Sequence, residues 1–287
     1  MIGSIRSLLF APGTRPDRFD KAMNAGADAV AFDLEDSVEV GRKPEARALV
    51  ADYLATPGTG ALRLIRFNPP DTPDGEADLE YFGAARGVDG VLLPKVETAG
   101  AVEQVARALA ARSPSGAVPP LFLLLETPRA ILKAAEIVAA DAPVAALLFG
   151  AEDYTASLAI ERTIDGEELS FARAQIVLAA ALVGADAIDA VCIDLNDTDS
   201  LRRDCARARA VGFRGKMAIH PRQLGVINES FTPTVAEVQR AQKLIETYET
   251  ARSAGHGVTT MDGQMVELPI VERARRLIAL AGKHDGR

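Results

Sequence analysis

Eight short apolar runs, at 7–11, 29–34, 62–67, 90–93, 121–125, 145–149, 187–193 and 216–219, alternate along the chain with longer stretches rich in Ala, Glu and Arg. The longer stretches, among them 44–55, 99–111, 129–140, 170–183 and 200–211, carry helical periodicity. Continuous apolar runs suit strands buried on both faces, as in a parallel sheet. Eight such strands alternating with helices over about 215 residues predict an α/β fold, a (β/α)8 TIM barrel. An open doubly wound sheet is the competing architecture, but no Gly-x-Gly-x-x-Gly follows the first run. Helix entries carry expected caps: Thr14 before Arg15-Pro16, Thr127 before Pro128, and Asp199-Ser200 before Leu201.

Residues 1–220 are therefore read as the barrel that carries the active site. The tail, 221–287, holds a long helical pattern at 234–254, a glycine-punctuated turn at 255–263 and a last helical pattern at 270–281. Its apolar content is too thin for a second core, so it is read as a helical arm or lid. The Pro-rich stretches 68–75 and 113–120 read as barrel connections.

A hydrophobic fraction of 48% is ample for a large core, and the net charge of −8 argues against nucleic acid as a partner. A small anion remains compatible, because a pocket can be locally positive in an acidic protein. The two cysteines, Cys192 and Cys205, read as reduced packing residues, which fits a cytoplasmic setting. No apolar run is long enough to span a membrane, and the run at 7–11 is too short for a signal sequence.

In a barrel of this kind the active site lies where the strands end. Here the runs stop in Pro12-Gly13-Thr14-Arg15, Asp33-Leu34-Glu35-Asp36, Arg66-Phe67-Asn68, Pro94-Lys95-Val96-Glu97, Glu126-Thr127, Gly150-Ala151-Glu152-Asp153, Asp194 and His220-Pro221. An ionised group at the edge of a core is costly without a partner, so charges converging from many strands imply a ligand. Glu126 and Asp153 come from adjacent strands, and two carboxylates with no His or Cys nearby suit Mg²⁺. Asp33, Glu35 and Asp36 either bind metal-bound waters or cap the following helix. Arg66 suits a carboxylate or an enolate oxygen, or an ion pair with Glu35 or Asp36. Lys95 occupies a position where Schiff-base aldolases keep their nucleophile, but the surrounding acids favour a protonated, electrostatic lysine. Arg15, Arg18 and Lys21 either receive an anion or form a solvated basic turn.

The ordered set of these motifs resembles the citrate lyase beta-subunit and malyl-CoA lyase family, of the phosphoenolpyruvate/pyruvate barrel superfamily. The likeness runs from Arg6-Ser7-Leu8-Leu9-Phe10-Ala11-Pro12-Gly13-Thr14-Arg15-Pro16 through Gly215-Lys216-Met217-Ala218-Ile219-His220-Pro221 to Asp262-Gly263-Gln264-Met265-Val266-Glu267-Leu268-Pro269. It implies a Mg²⁺-dependent lyase that cleaves or forms β-hydroxyacyl thioesters, with Glu126 and Asp153 as metal ligands and Arg66 as a substrate contact. Phe10, Arg15 and Lys21 match positions that touch the coenzyme A or carrier-linked substrate, and Ile219 and His220 match another substrate-side position. Glu152 shares the Asp153 motif and is counted on the substrate side. Glu35 and Asp36 are counted with Arg66 and Glu267 as catalytic candidates.

The resemblance also implies a tail that reaches a neighbouring subunit's site, hence a homo-oligomer, expected to be trimer-based. At the position of Glu267 the family commonly has Asp, thought to exchange a proton with the thioester α-carbon. Glu267 keeps the charge and adds a methylene. The expected substrate carries a malyl, citramalyl or citryl group. A malyl-type thioesterase with the same site, and a beta subunit active only with an acyl carrier partner, are the alternatives.

Overall fold

A computed structural model describes residues 4–58, 60–83 and 87–284. Eight parallel strands close into a barrel: β1 (Ser7–Pro12), β2 (Ala29–Asp33), β3 (Leu62–Arg66), β4 (Gly90–Leu93), β5 (Leu121–Leu125), β6 (Val144–Phe149), β7 (Asp186–Asp189) and β8 (Gly215–Ala218). Closure comes from β1 pairing with β8, Ser7 opposite Lys216 through Leu9 opposite Ala218, which rules out the open sheet. Leu8, Ala31, Leu64, Leu92, Phe122, Leu124, Leu148, Ile188 and Met217 form one buried apolar cluster within the barrel.

Around the barrel run α1 (Phe19–Met23), α2 (Lys43–Leu54), α3 (Pro73–Phe82), α4 (Ala99–Arg112), α5 (Pro128–Leu132), α6 (Ala134–Ile137), α7 (Ala151–Ser157), α8 (Ser170–Val183), α9 (Thr198–Val211) and α10 (Leu224–Phe231). Thr72, Thr98 and Thr127 each accept a backbone N–H in the first turn of their helix, the standard remedy for unpaired N-terminal amides. Three expectations are corrected here. Thr14 caps nothing, because Arg15 precedes a short 3-10 turn at Pro16–Arg18 with no side-chain cap. Asp197, not Asp199, caps α9 by accepting from Ser200 N. The stretch 129–140 is two short helices, broken at Lys133.

The chain divides into two compact units, Met1–Glu229 and Ser230–Arg287. In the second, α11 (Val235–Ser253) opens with a capping box between Thr234 and Glu237. A hairpin of β9 (Thr259–Met261) and β10 (Gln264–Val266) then leads into α12 (Leu268–His284). Tyr248, Met261, Val266 and Val271 pack as a small cluster of their own. The turn expected at 255–263 thus holds a strand. Asp262 (φ +53°) and Gly263 (φ +75°) are both left-handed, as a two-residue turn between right-twisted strands requires.

Candidate active site

Register decides which charged groups meet. In the β2–β3 ladder Asp33 lies opposite Arg66, and the Arg66 fork closes on it: Nε to Oδ1 at 2.7 Å and Nη2 to Oδ2 at 2.6 Å. Nη1 stands 3.0 Å from Glu35 Oε2 and 3.3 Å from Asp36 Oδ2. The guanidinium carbon lies 4.9 Å from the centre of the Phe10 ring, so the cation is flanked by acids and by an aromatic ring. Burial opposes the guanidinium charge, but Asp33, Glu35 and Asp36 outweigh it and raise its pKa. Asp33 also accepts the amides of Glu35 and Ser37. It therefore both shapes the acidic loop and fixes Arg66.

The β5–β6 ladder sets Leu125 opposite Phe149, which brings Glu126 beside Gly150 and the start of α7. A Cβ at Gly150 would lie 2.3 Å from Glu126 Cβ and 2.6 Å from its Oε2, so only glycine fits there. Glu126 is buried and accepts the Lys95 amide at 2.8 Å, and Asp153 lies close enough to raise its pKa. Burial first, then the contact with Asp153 and the charge of Glu35, push the Glu126 carboxyl up to about 9. Two neighbouring carboxyl groups on one cavity repel once both ionise, and their donors are hard oxygens alone, so a divalent cation such as Mg²⁺ fits the pair. Among the described residues no group of three or more His, Cys, Asp and Glu side chains is placed to hold a metal ion. A cation at this pair would take its other oxygens from water or substrate.

Glu35 is buried between Arg66 and Lys95. Lys95 Nζ is 2.9 Å from its Oε1, yet neither Glu35 oxygen has a partner with hydrogen-bond geometry. Burial, opposed by Arg66 and Lys95 and reinforced by Asp36, pushes the Glu35 carboxyl up to about 7. For Lys95, burial favours the neutral amine, but contact with Glu35 and the nearby acids raises its pKa. A lysine held in its charged form is a poor Schiff-base nucleophile.

A cavity of about 860 Å³ takes in Phe10, Asp33, Asp36, Arg66, Glu126, Gly150, Glu152 and Asp153, with Arg15, Arg18 and Lys21 on another part of its lining and Ile219 and His220 beside Pro221. This arrangement combines a buried Glu126 with a partly exposed Asp153, a pre-set guanidinium, and basic lining residues of which Arg15 is paired with Asp17. It suits a small anion carried on a larger anionic group.

A family model described as HpcH/HpaI aldolase/citrate lyase matches residues 6–221. The chain belongs to that family. It is 36% identical over 281 residues to citrate lyase subunit beta of Leuconostoc mesenteroides subsp. cremoris, covering 96% of this chain and 93% of that protein. It is 37% identical over 279 residues to a (3S)-malyl-CoA thioesterase of Cereibacter sphaeroides, covering 96% and 94%. Among solved structures it resembles the protein CitE of Mycobacterium tuberculosis in complex with magnesium, acetoacetate and coenzyme A. That match has a TM-score of 0.82 and 34% identity, covering 98% of this chain and 100% of that one. The citrate lyase beta-like fold and its lyase family are thus those expected from the motifs.

Within this member of the HpcH/HpaI family, the structure gathers most of the expected site residues in the one cavity. Glu35 is not among the lining residues. Glu152 is half exposed and bonded to Arg162 at 2.6 Å, a partner the sequence did not reveal. His220 accepts the Arg222 amide on Nδ1. Buried Gln223 takes the Ile219 and His220 amides on Oε1 and donates to the Cys192 carbonyl, pinning the β8 end. Asp194 does not sit at a strand end: β7 stops at Asp189, and Asp194 is an exposed turn residue that accepts the amides of Asn196 and Asp197. Glu267 stands in the second unit, between β10 and α12, its carbonyl accepting from Ile270 and Val271. Among the described residues no helix is long and apolar enough to cross a membrane.

Proposed function

We propose that the chain is a Mg²⁺-dependent carbon–carbon lyase acting on a carboxylated β-hydroxyacyl thioester of malyl, citramalyl or citryl type. Cleavage would yield a 2-oxo acid and an acyl thioester, and the same site would run the condensation. The observation that carries this reading is the lining of one cavity by Glu126, Asp153 and Arg66, with Asp153 near enough to raise the pKa of buried Glu126. Mg²⁺ held by Glu126 and Asp153 would supply Lewis acidity toward the substrate's hydroxyl and carboxylate oxygens. Arg66, pre-set by Asp33, would donate to the thioester oxygen on which negative charge grows as the bond breaks. Asp36 and the buried Glu35 hold the far edge of that guanidinium. Arg15 and Lys21, with Phe10, would receive the anionic coenzyme A or acyl-carrier arm. Glu152, Ile219 and His220 would border the acyl part. The tail 221–287 of a neighbouring subunit would bring Glu267 to protonate the thioester α-carbon, which requires a homo-oligomer, trimer-based by resemblance.

A panel of malyl, citramalyl and citryl thioesters, assayed with and without Mg²⁺ for 2-oxo acid release, tests the reading. Release that ignores Mg²⁺, or no release from any of them, overturns it. The likeness to a (3S)-malyl-CoA thioesterase favours a second reading, hydrolysis at the same site. That would release free hydroxy acid and thiol instead. Turnover of free coenzyme A thioesters by the isolated chain would dispose of a role confined to a carrier-dependent subunit.

A further inference from the structure

The connection after β4 grips the end of β5 in a way that the proposed chemistry does not use. Lys95 has φ +53°, a conformation disfavoured for any residue that bears a Cβ. From there its amide reaches Glu126 Oε1 at 2.8 Å, while Nζ lies 2.9 Å from Glu35 Oε1. Two residues on, Glu97 Oε1 accepts the Thr127 hydroxyl at 2.7 Å. The same connection thus holds both Glu126 and the residue after it. On the other side Gly150 leaves room for the Glu126 carboxyl and nothing more. Pro94 and Val96, which flank Lys95, are buried, so relaxing residue 95 to negative φ would displace packed neighbours and withdraw the amide.

We propose that Lys95 is a positioning residue, whose left-handed backbone aims its amide N–H at Glu126 and so sets the orientation in which that carboxylate meets a divalent cation. The proposal rests on the Mg²⁺ site proposed above. It assigns the positioning to the backbone, since a nearby ammonium by itself repels a cation. Three substitutions all remove the ammonium and differ in how readily they adopt positive φ: Lys95→Gly freely, Lys95→Ala less so, Lys95→Val least.

The test is calorimetric titration of the full chain with Mg²⁺, and with Mn²⁺ as a second probe. Lys95→Gly should bind within about threefold of the unaltered chain, Lys95→Ala about threefold more weakly than Gly, and Lys95→Val about tenfold more weakly. Equal affinities for Gly, Ala and Val overturn the proposal, as does a Gly variant as weak as Val, which would assign the effect to the side chain. If Val does not fold, the Gly–Ala pair decides by the same criterion. Failure of the unaltered chain to bind either metal removes the metal site itself and this inference with it, a result distinct from equal binding by all.

Discussion

Two charged clusters lie within the barrel unit, and they are built on opposite terms. Between β7, β8 and the helices α8 and α9, Asp189, Lys216, Arg173 and Asp204 form a quartet of two anions and two cations. Arg173 chelates Asp189 at 2.9 and 2.8 Å and reaches Asp204 at 2.7 Å, while Lys216 bonds the same two acids at 2.7 and 2.6 Å. Every carboxylate oxygen has a donor, and Arg173, Asp189 and Lys216 are fully or almost fully buried. At the barrel mouth, Asp33, Glu35 and Asp36 share Arg66 and Lys95 as ion-pair partners, with Glu126 and Asp153 lining the same cavity as Arg66. There the Glu35 oxygens have ion-pair neighbours but no partner with hydrogen-bond geometry, and Asp153 raises the pKa of buried Glu126. A neutral, saturated cluster serves the fold, and an acidic, unsaturated one is shaped for something that arrives. The contrast is a better guide to function than charge density alone.

The sharpest way to break the contrast is Glu126→Ala. Mg²⁺-dependent turnover should fall on the order of 10³-fold or more, since the loss strikes both metal and substrate. The melting curve should stay near that of the parent; unchanged turnover would remove Glu126 from the metal site. In the quartet the effect should be on stability. Lys216→Met leaves buried Asp189 and partly buried Asp204 on one arginine and should cost about 3–5 kcal/mol, read as a lower urea midpoint with Mg²⁺ affinity unchanged. Arg66→Lys keeps charge but cannot chelate Asp33, so kcat should fall on the order of 10²–10³-fold. A preserved rate would end the enolate role.

The smallest effect is one of pH. The Glu126 carboxyl, 4.5 when unperturbed, is held up to about 9. Between those values the folded chain keeps a proton that the unfolded chain has released, so the metal-free protein should lose stability as pH rises through that window. Glu35, raised to about 7, acts in the same direction. Saturating Mg²⁺ or Glu126→Gln should flatten the slope, measured as urea midpoints from pH 5 to 9. The quartet has the opposite sign. Its Lys216 and Arg173 partners overcome burial and lower the Asp204 pKa, so its contribution is lost as pH falls through the acid range. A metal-free chain that gained stability toward pH 9 would contradict the assignment.

Much of this was legible in the residues. Strands buried on both faces leave unbroken apolar runs, and consecutive runs ending in Glu126 and Gly150-Ala151-Glu152-Asp153 announce a shared carboxylate site. What the runs cannot show is register. Asp33, Glu35 and Asp36 look alike in sequence, and only the ladder that sets Asp33 opposite Arg66 selects the chelating acid. The stretch 187–193 reads as one strand because it is apolar apart from Asp189, but β7 stops at Asp189, whose two cationic partners are 16 and 27 residues away. The β9–β10 hairpin lies where the sequence reads only as a turn over 255–263, although Asp262-Gly263 is a pair suited to a two-residue hairpin turn.

The carboxylate pair hangs from β5 and β6, whereas the guanidinium, its chelating acid and its aromatic floor come from β1, β2 and β3. The mouth is therefore split into two hereditary halves that share a cavity but few covalent neighbours. Libraries confined to the loops after β1 and β3 can vary what is recognised while the residues at 126, 150 and 153 stay fixed. Changes at 150 meet Glu126 at once, so selection for new substrates should leave that glycine untouched.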